Sequence, residues 1–569
     1  MEKRLLLAIV LMTFAMLITN RFFGPTTPSD QVVADSVLAT TLPGVTQAPG
    51  VPRVSAAPST GSADSVVVTS DHYRYVFSTR GAALRSASLI SYPSYSEPGS
   101  PVQLVPEGVT DFLSYRLVLG ADTLSLAALP FEASERQVDV SSGRRAVDFS
   151  WHDEGGLGVV FRYEFAPEGY LVGVTGRVEQ TGGQQAYLLA RLGPGLAVHE
   201  NPAHHSEQDF AFVTRGDDGI KRRPFRQIES QEVAEGPLHW AAIKDKYFLA
   251  AIIRQESGPV SRAVVTPAPA ATRVLPNGNE LTLPRAQVEV AVPVAADGEF
   301  AFQAYLGPQD YRTLKAVGHD LENVTPYGYR WLQPVIGPLS AAVLWVLNTL
   351  HDTLGISYGW VLVIFGVMMR VVLWPLNAKA MRSQLKTMTV QPLLQEIREK
   401  YKDDPEKQQQ AMVALYKEHG FNPFGGCLPL LVPFPVLITL FFVFRNTIAF
   451  RGARFLWLPD LSLPDPIYIL PVLLVVSMFS LQWVMSHLSG MEQNSQMKMM
   501  MYFMPLMMGI FFFSMPSGLN VYYTVTQIAS IPQQVLISIE RRKAQEELKR
   551  NKVMNAVSSR DNKGKGRAK

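Results

Sequence analysis

Cysteine is all but missing from this chain. Cys427 is the sole one among 569 residues, so no intrachain disulfide can form and any domain outside the cytoplasm must stand on its core. With no cysteine near the N-terminus, a thioether-linked lipid anchor there is excluded too. Carboxylates are missing from 359–376, 425–444, 467–485, 499–515 and 519–537, which hold neither Asp nor Glu. The segment 24–64 has almost no aromatic residues and is rich in Pro, Thr, Ser and Ala. It buries too little apolar surface to offset its ordering entropy and reads as a flexible linker. Between 65 and 315 no nucleophile motif and no phosphate-binding loop occurs. The pair His204-His205 has no Cys or carboxylate at ligand spacing and reads as an ordinary surface loop, so neither metal nor cofactor is expected.

What is present divides the chain. Residues 25–330 mix charge, Gly, Pro and β-formers as soluble domains do, whereas 331–540 is dominated by Leu, Val, Met and Phe. At the N-terminus Lys3 and Arg4 precede an apolar run with no small-residue cleavage site, which predicts an uncleaved signal-anchor helix over 1–23 with its start in the cytoplasm. From 65 to 315 the period is two. Phe161, Tyr163 and Phe165 share one face, "APEG" turns the chain, and Tyr170, Val172 and Val174 answer from the next strand. Val288, Val290 and Val292 alternate in the same way, and the whole reads as an extracytoplasmic β-sandwich.

The five carboxylate-free stretches approach the roughly 20 residues that cross a hydrocarbon core, and with the anchor they make six transmembrane helices. A seventh apolar stretch, 334–350, carries Leu339, Val343, Val346, Leu347 and Leu350 at helical spacing behind Pro334 and Pro338. Were it to cross, the basic tail would face outward; 316–354 is therefore read as an interfacial region and both termini as cytoplasmic. The tail 541–569 is basic: from Ser538 to Lys569 there are 11 Lys/Arg and 4 Asp/Glu. Residues 378–420 read as a cytoplasmic helical hairpin, with stripes Leu394/Ile397/Tyr401 and Met412/Leu415/Tyr416, Asp404 as N-cap, Pro405 at the first helical position and Gly420 as the stop. Ser517-Gly518 is expected to form a tight turn between the last two spans.

Arg370 is the cation inside this apolar part. It lies six residues before Leu376, about 9 Å from the span's end at 1.5 Å per residue, and depth alone leaves snorkelling and a hydrated cavity both open. Asn520, Tyr523, Thr524 and Gln527 recur at i, i+3, i+4 and i+7, and four polar residues on one face favour a wet surface over interhelical glue. A run of methionines from Met497 to Met508 fits either an adaptable apolar receptor or plain packing.

"GWVLVIFGVMMRVVLWPL", "YKEHGFNPFGGCLPLLVPFPVLITLF", "DPIYILPVLLVVSMFSLQ" and "FMPLMMGIFFFSMPSGLNVYYTVTQIASIPQQ" resemble, in order and spacing, the YidC/Oxa/Alb membrane protein insertases. The anchor followed by a large β domain resembles the form found in bacteria with two membranes. The resemblance implies a multi-domain protein: a helical inner-membrane bundle with a conserved five-helix insertase core over 355–540, plus a periplasmic all-β supersandwich over 65–315. It implies a non-enzymatic insertase and chaperone whose groove, open to cytoplasm and lipid, carries an arginine that falls on Arg370. Asn520, Tyr523, Thr524 and Gln527 would line that groove. The substrate's apolar helix would slide past Phe434, Leu437, Met504 and Met508. Implied partners are nascent membrane proteins, membrane lipid, the Sec translocon with its accessory proteins, and the ribosome or signal-recognition factors through hairpin and tail. Pro433 stands where many relatives carry Gln, and Gly366 where some carry a hydroxyl. The alternative function is an anion or small-solute transporter or channel, since an intramembrane arginine also suits an anion pathway.

Overall fold

The computed structural model describes residues 64–181, 183–200, 209–255, 258, 260–274, 280–325, 327–328, 332–375, 378, 396–397, 399–402, 404–418, 434–489, 495–536, 539–540 and 542–543. The anchor, nearly all of the linker, His204-His205, most of the hairpin's first arm, Gly420, Pro433 and nearly all of the basic tail lie outside the described residues. The rest falls into two compact units that divide after Thr325.

The first unit is built from strands because its apolar residues alternate. In Gly158–Phe165 the side chains of Val159, Phe161, Tyr163 and Phe165 are buried while Arg162 and Glu164 face out. This strand pairs antiparallel with Leu171–Glu179, placing Tyr163 opposite Val174 and Phe161 opposite Gly176, the hairpin expected from the sequence. Gly176 is required there: a Cβ would sit 2.2 Å from the Val160 carbonyl oxygen and 2.4 Å from the Phe300 ring. Val288, Val290 and Val292 are likewise buried, in the strand Glu280–Val294.

The strands make one 14-stranded and one 5-stranded sheet. Pairing is antiparallel except where Ser65–Thr69 runs parallel to Gln137–Asp139 at the side of the smaller sheet. The two sheets meet through aromatic side chains. Phe77 of the small sheet packs 4.9 Å from Tyr163 of the large one, and the Tyr75 hydroxyl donates to the Leu306 carbonyl at 2.8 Å. Burying tyrosines needs such partners, and Tyr163 and Tyr115 supply one for each other at 2.9 Å. A short helix, α1 (Tyr311–Val317), follows the last strand, its first turn capped by Asp310, which accepts from the Thr313 N–H.

The second unit is helical. Its described helices are α2 (Gln333–Leu354), α3 (Tyr358–Val372), α4 (Pro405–Glu418), α5 (Phe434–Asn446), α6 (Ile469–Ser489), α7 (Ser495–Phe513) and α8 (517–536). Among the described residues one helix, α2, is long and apolar enough to cross a membrane by itself; Tyr358–Val372, Pro435–Asn446 and Ile469–Trp483 are apolar over shorter lengths. The stretch expected to lie in the interface is thus the one with spanning length. Pro334 sits in the first turn, where its missing N–H costs nothing, and the helix continues through Pro338. α2 buries Ile336, Ser340, Val343, Leu344 and Leu347, and leaves Trp345 68% exposed.

α4 begins as the sequence indicates, with the Asp404 carboxylate accepting from the Lys407 N–H at 3.2 Å and Pro405 as its first residue. The expected Ser517-Gly518 turn is displaced. α7 stops at Phe513, the chain reverses over 514–516, and Ser517 and Gly518 already belong to α8. The reason is tertiary: the Ser517 N–H donates to the Leu463 carbonyl at 2.7 Å, that of Gly518 to Leu461 at 2.9 Å, and the Ser517 hydroxyl to Asp460. A distant loop therefore satisfies the first N–H groups of α8, which local turn chemistry would otherwise have to serve.

Candidate functional site

α3 and α8 meet closely at Gly366. A Cβ there would lie 3.1 Å from Val525 and 3.5 Å from Thr526, so this glycine is a packing contact between helices, not a vacancy in a groove lining. One turn later on α3 is Arg370, half-buried at the wall of a cavity of about 230 Å³. α3 contributes Met369 and Arg370, with Leu373 at its C-cap; α5 contributes Val436, Leu437 and Leu440; α8 contributes Tyr522, Tyr523, Thr526 and Gln527. Its Nε has no hydrogen-bond partner among the described residues. A guanidinium cannot relieve that by losing its proton. At roughly 30 Å³ per water the cavity holds a handful of waters, enough to hydrate a guanidinium but far less than a helical segment occupies.

Of the residues expected in the groove, Arg370, Tyr523 and Gln527 line this cavity, and so does Leu437, expected along the path of the substrate's apolar helix. Asn520 and Thr524 do not. Asn520 is fully buried and its Nδ2 donates to the Phe512 carbonyl at 3.1 Å, closing the end of α7, while Thr524 is 4% exposed. Asn520 Oδ1 and the Thr524 hydroxyl have no partner among the described residues. Met508 is half-buried on α7; the side chains of Phe434 and Met504 lie outside the described ones. The sequence reading missed Tyr522 and Thr526, although Thr526 follows Tyr523 by three residues and so shares its helix face.

Toward the end of the bundle where α3 begins, the cavity is closed by rings. Tyr522 lies 5.7 Å from Phe365 and 5.9 Å from Phe444; Phe444 packs 5.2 Å from Phe450, and Tyr358 meets Phe450 edge-on at 5.6 Å. Aromatic contacts of this kind are each worth about 1 kcal/mol beyond their area burial, so this end is a firm seal. Nothing equivalent closes the Gln527 side among the described residues, where Gln533 of α8 donates to the Trp374 carbonyl at 3.1 Å. The site can hold and solvate a charge.

Two family models cover most of the chain: one for a 60 kDa inner membrane protein matches 349–545, and one for the YidC periplasmic domain matches 65–341. The chain belongs to the YidC/Oxa/Alb insertase family. Membrane protein insertase YidC of Syntrophus aciditrophicus is 29% identical over 95% of this chain and 99% of its own length. That of Paraburkholderia phytofirmans is 28% identical over 91% and 93%. A crystal structure of an active YidC insertase with its first transmembrane domain resolved covers 83% of this chain and 92% of its own, at 17% identity and a TM-score of 0.33. For this family the β unit is the periplasmic part and the helical unit the inner-membrane part, and its activity is non-enzymatic. These likenesses do not favour the transporter alternative.

Proposed function

We propose that the chain inserts nascent proteins into the inner membrane and assists their folding there, with the cavity around Arg370 receiving the polar part of the incoming segment. The observation that supports this reading is a half-buried guanidinium in a small cavity of mixed polarity, sealed by aromatics on one side, with its Nε unpartnered among the described residues. A charge at the centre of a bilayer costs about 3 kcal/mol on insertion scales, and a few fixed waters beside a cation shorten the dry path for an acidic segment. Burial of the substrate's apolar helix in lipid then supplies the drive. No covalent step is required.

The same reading takes in six transmembrane helices, both termini in the cytoplasm, α2 at the interface and a supersandwich architecture for the β unit. Asn520 and Thr524 act in it by shaping α8, while Tyr523 and Gln527 meet the substrate. Phe434, Leu437, Met504 and Met508 face its apolar helix. The hairpin and tail contact the ribosome or targeting factors, and for some clients the protein works beside the Sec translocon.

The test is insertion into proteoliposomes of a client with a short acidic translocated segment, compared with the same client made neutral. A carboxylate about 6 Å from the guanidinium gains about 1–3 kcal/mol between bulk-water and protein-like screening. Arg370→Ala should therefore slow the acidic client by about tenfold, at 1.36 kcal/mol per decade, and the neutral client much less. Arg370→Lys should retain most of the rate. Equal slowing of both clients by the alanine variant would rule out a charge role for Arg370.

A further inference from the structure

The loop 447–468, which joins α5 to α6, turns its two carboxylates inward. Asp465 is fully buried and accepts from the N–H groups of Ile467 (3.1 Å) and Leu470 (2.7 Å) and from the Trp457 indole (3.2 Å). Asp460, 3% exposed, accepts from the Ser462 N–H at 2.7 Å, while its carbonyl takes the Ser517 hydroxyl. Facing out are Leu456, Trp457, Ile467 and Tyr468, at 67%, 38%, 57% and 50% exposure, and the cation Arg454.

The placement of these apolar side chains is costly in water. Phe455 and Leu458 exchange N–H···O bonds of 3.0 and 2.8 Å, which puts Leu456 and Trp457 at the tip of a two-residue turn, where Asn or Gly is ordinary. Leu456 has φ +52° and Tyr468 φ +57°, left-handed conformations that cost a side-chain-bearing residue roughly 1–2 kcal/mol each. Two strained corners thus carry two of the most exposed apolar residues of the loop, held by buried carboxylates. The patch also runs on without a break. Ile469, Val472 and Leu473 continue it down α6, and Trp360, 52% exposed at the start of α3, stands edge-on to Phe455 at 5.4 Å. An aqueous protein partner would meet a patch whose margins continue into lipid-facing helix. A bilayer interface meets aromatic residues at headgroup depth, with a cation and, within the loop, no exposed carboxylate.

We propose that this loop is seated in the bilayer itself, in the leaflet at the end where α3 begins. Leu456, Trp457, Ile467 and Tyr468 lie among the upper acyl chains and Arg454 lies at a lipid phosphate. The seat sets the height of the bundle in the membrane, and it rests on the inner-membrane location, not on the role given to Arg370.

The experiment uses the full chain with Cys427→Ser and one new cysteine, Leu456→Cys or Ile467→Cys, with Glu168→Cys on the exposed surface of the β unit as control. Each is labelled with a polarity-sensitive fluorophore, checked to elute as the unlabelled protein, and reconstituted into phosphatidylcholine–phosphatidylglycerol vesicles. Nitroxide lipid labelled high on the acyl chain should quench positions 456 and 467 several-fold more than position 168, and aqueous acrylamide several-fold less. Equal acrylamide quenching at all three would place the loop in water and overturn the proposal. Shielding of 456 and 467 from both quenchers would place a protein there and overturn it equally. Adding Arg454→Gln should remove the gain in lipid quenching that phosphatidylglycerol gives over phosphatidylcholine alone; an undiminished gain would take Arg454 out of the phosphate contact.

Discussion

Gly359, in the first turn of α3, carries a sharp packing test. A methyl added there would lie 2.1 Å from Cδ2 of Phe455 and 2.2 Å from its Cγ. Carbon atoms settle at about 3.5–4.0 Å, so the ring would have to retreat by more than an ångström. It has little freedom to do so, because Phe455 is bonded to Leu458 in both directions and stands edge-on to Trp360. Overpacking of this kind costs typically 1–3 kcal/mol, against which alanine for glycine in a helix returns about 0.5–1 kcal/mol. The net for Gly359→Ala is a destabilisation of about 1–2 kcal/mol, and the loop 447–468 should loosen with it. In the Phe455→Gly background, which removes both the ring and the Cβ that would lie 2.5 Å from the new methyl, the Gly359→Ala penalty should shrink or vanish. The two substitutions thus couple with opposite sign to simple addition. Denaturation of the four proteins in detergent, with hydrogen exchange over 447–468 as the local readout, measures the cycle. A Gly359→Ala penalty that persisted undiminished beside Phe455→Gly would refute the packing argument.

Two further outcomes concern the β unit. Glu289, 12% exposed in its side chain, receives Arg191 at 3.0 Å and also Arg116, so Glu289→Ala takes a shared carboxylate from two mostly buried guanidiniums, of which Arg191 keeps Asp111 at 2.8 Å. It should cost about 3 kcal/mol in urea denaturation, by the rule for breaking one side of a buried pair, and an effect below 1 kcal/mol would mean that water replaces the carboxylate. Asp245 is buried and its carboxyl is pushed up to about 7, because desolvation outweighs the N–H groups of Phe248 and Tyr247 that favour the ion. A raised folded value means stability present below the unfolded value of about 3.9 and lost as pH rises through the folded one. Asp245→Asn keeps an acceptor for both N–H groups and should flatten the fall in stability between about pH 4 and 7; an unchanged slope would exclude Asp245 as its source.

Features encoded by neighbours in sequence were legible. The Asp404-Pro405 start of α4 needs a side chain to reach an N–H three residues away, and the hairpin over 158–179 needs alternation on both sides of a turn. Arg370, read as six residues from the end of its span, lies instead in the last turn of α3, which stops at Val372. The polar stripe of α8 was legible as a stripe but not as a site. Tyr523 and Gln527 reach the cavity, whereas Asn520 turns to the Phe512 carbonyl because α7 ends beside it. Gly366 looked like a missing hydroxyl and is a contact with Val525.

The sequence by itself determined the class of each region, since a period of two, a carboxylate-free run and a cap are properties of residues a few positions apart. It also determined that an arginine stands where no internal carboxylate can neutralise it. Only the tertiary structure decided which side chains share a cavity, where the chain turns between α7 and α8, and that the loop 447–468 hides its acids and shows its apolar corners. Those outcomes depend on groups brought together from Asp460, Phe512 and Ser517, and backbone donors left over at a helix start bind whatever acceptor the fold delivers, not the one nearest in sequence.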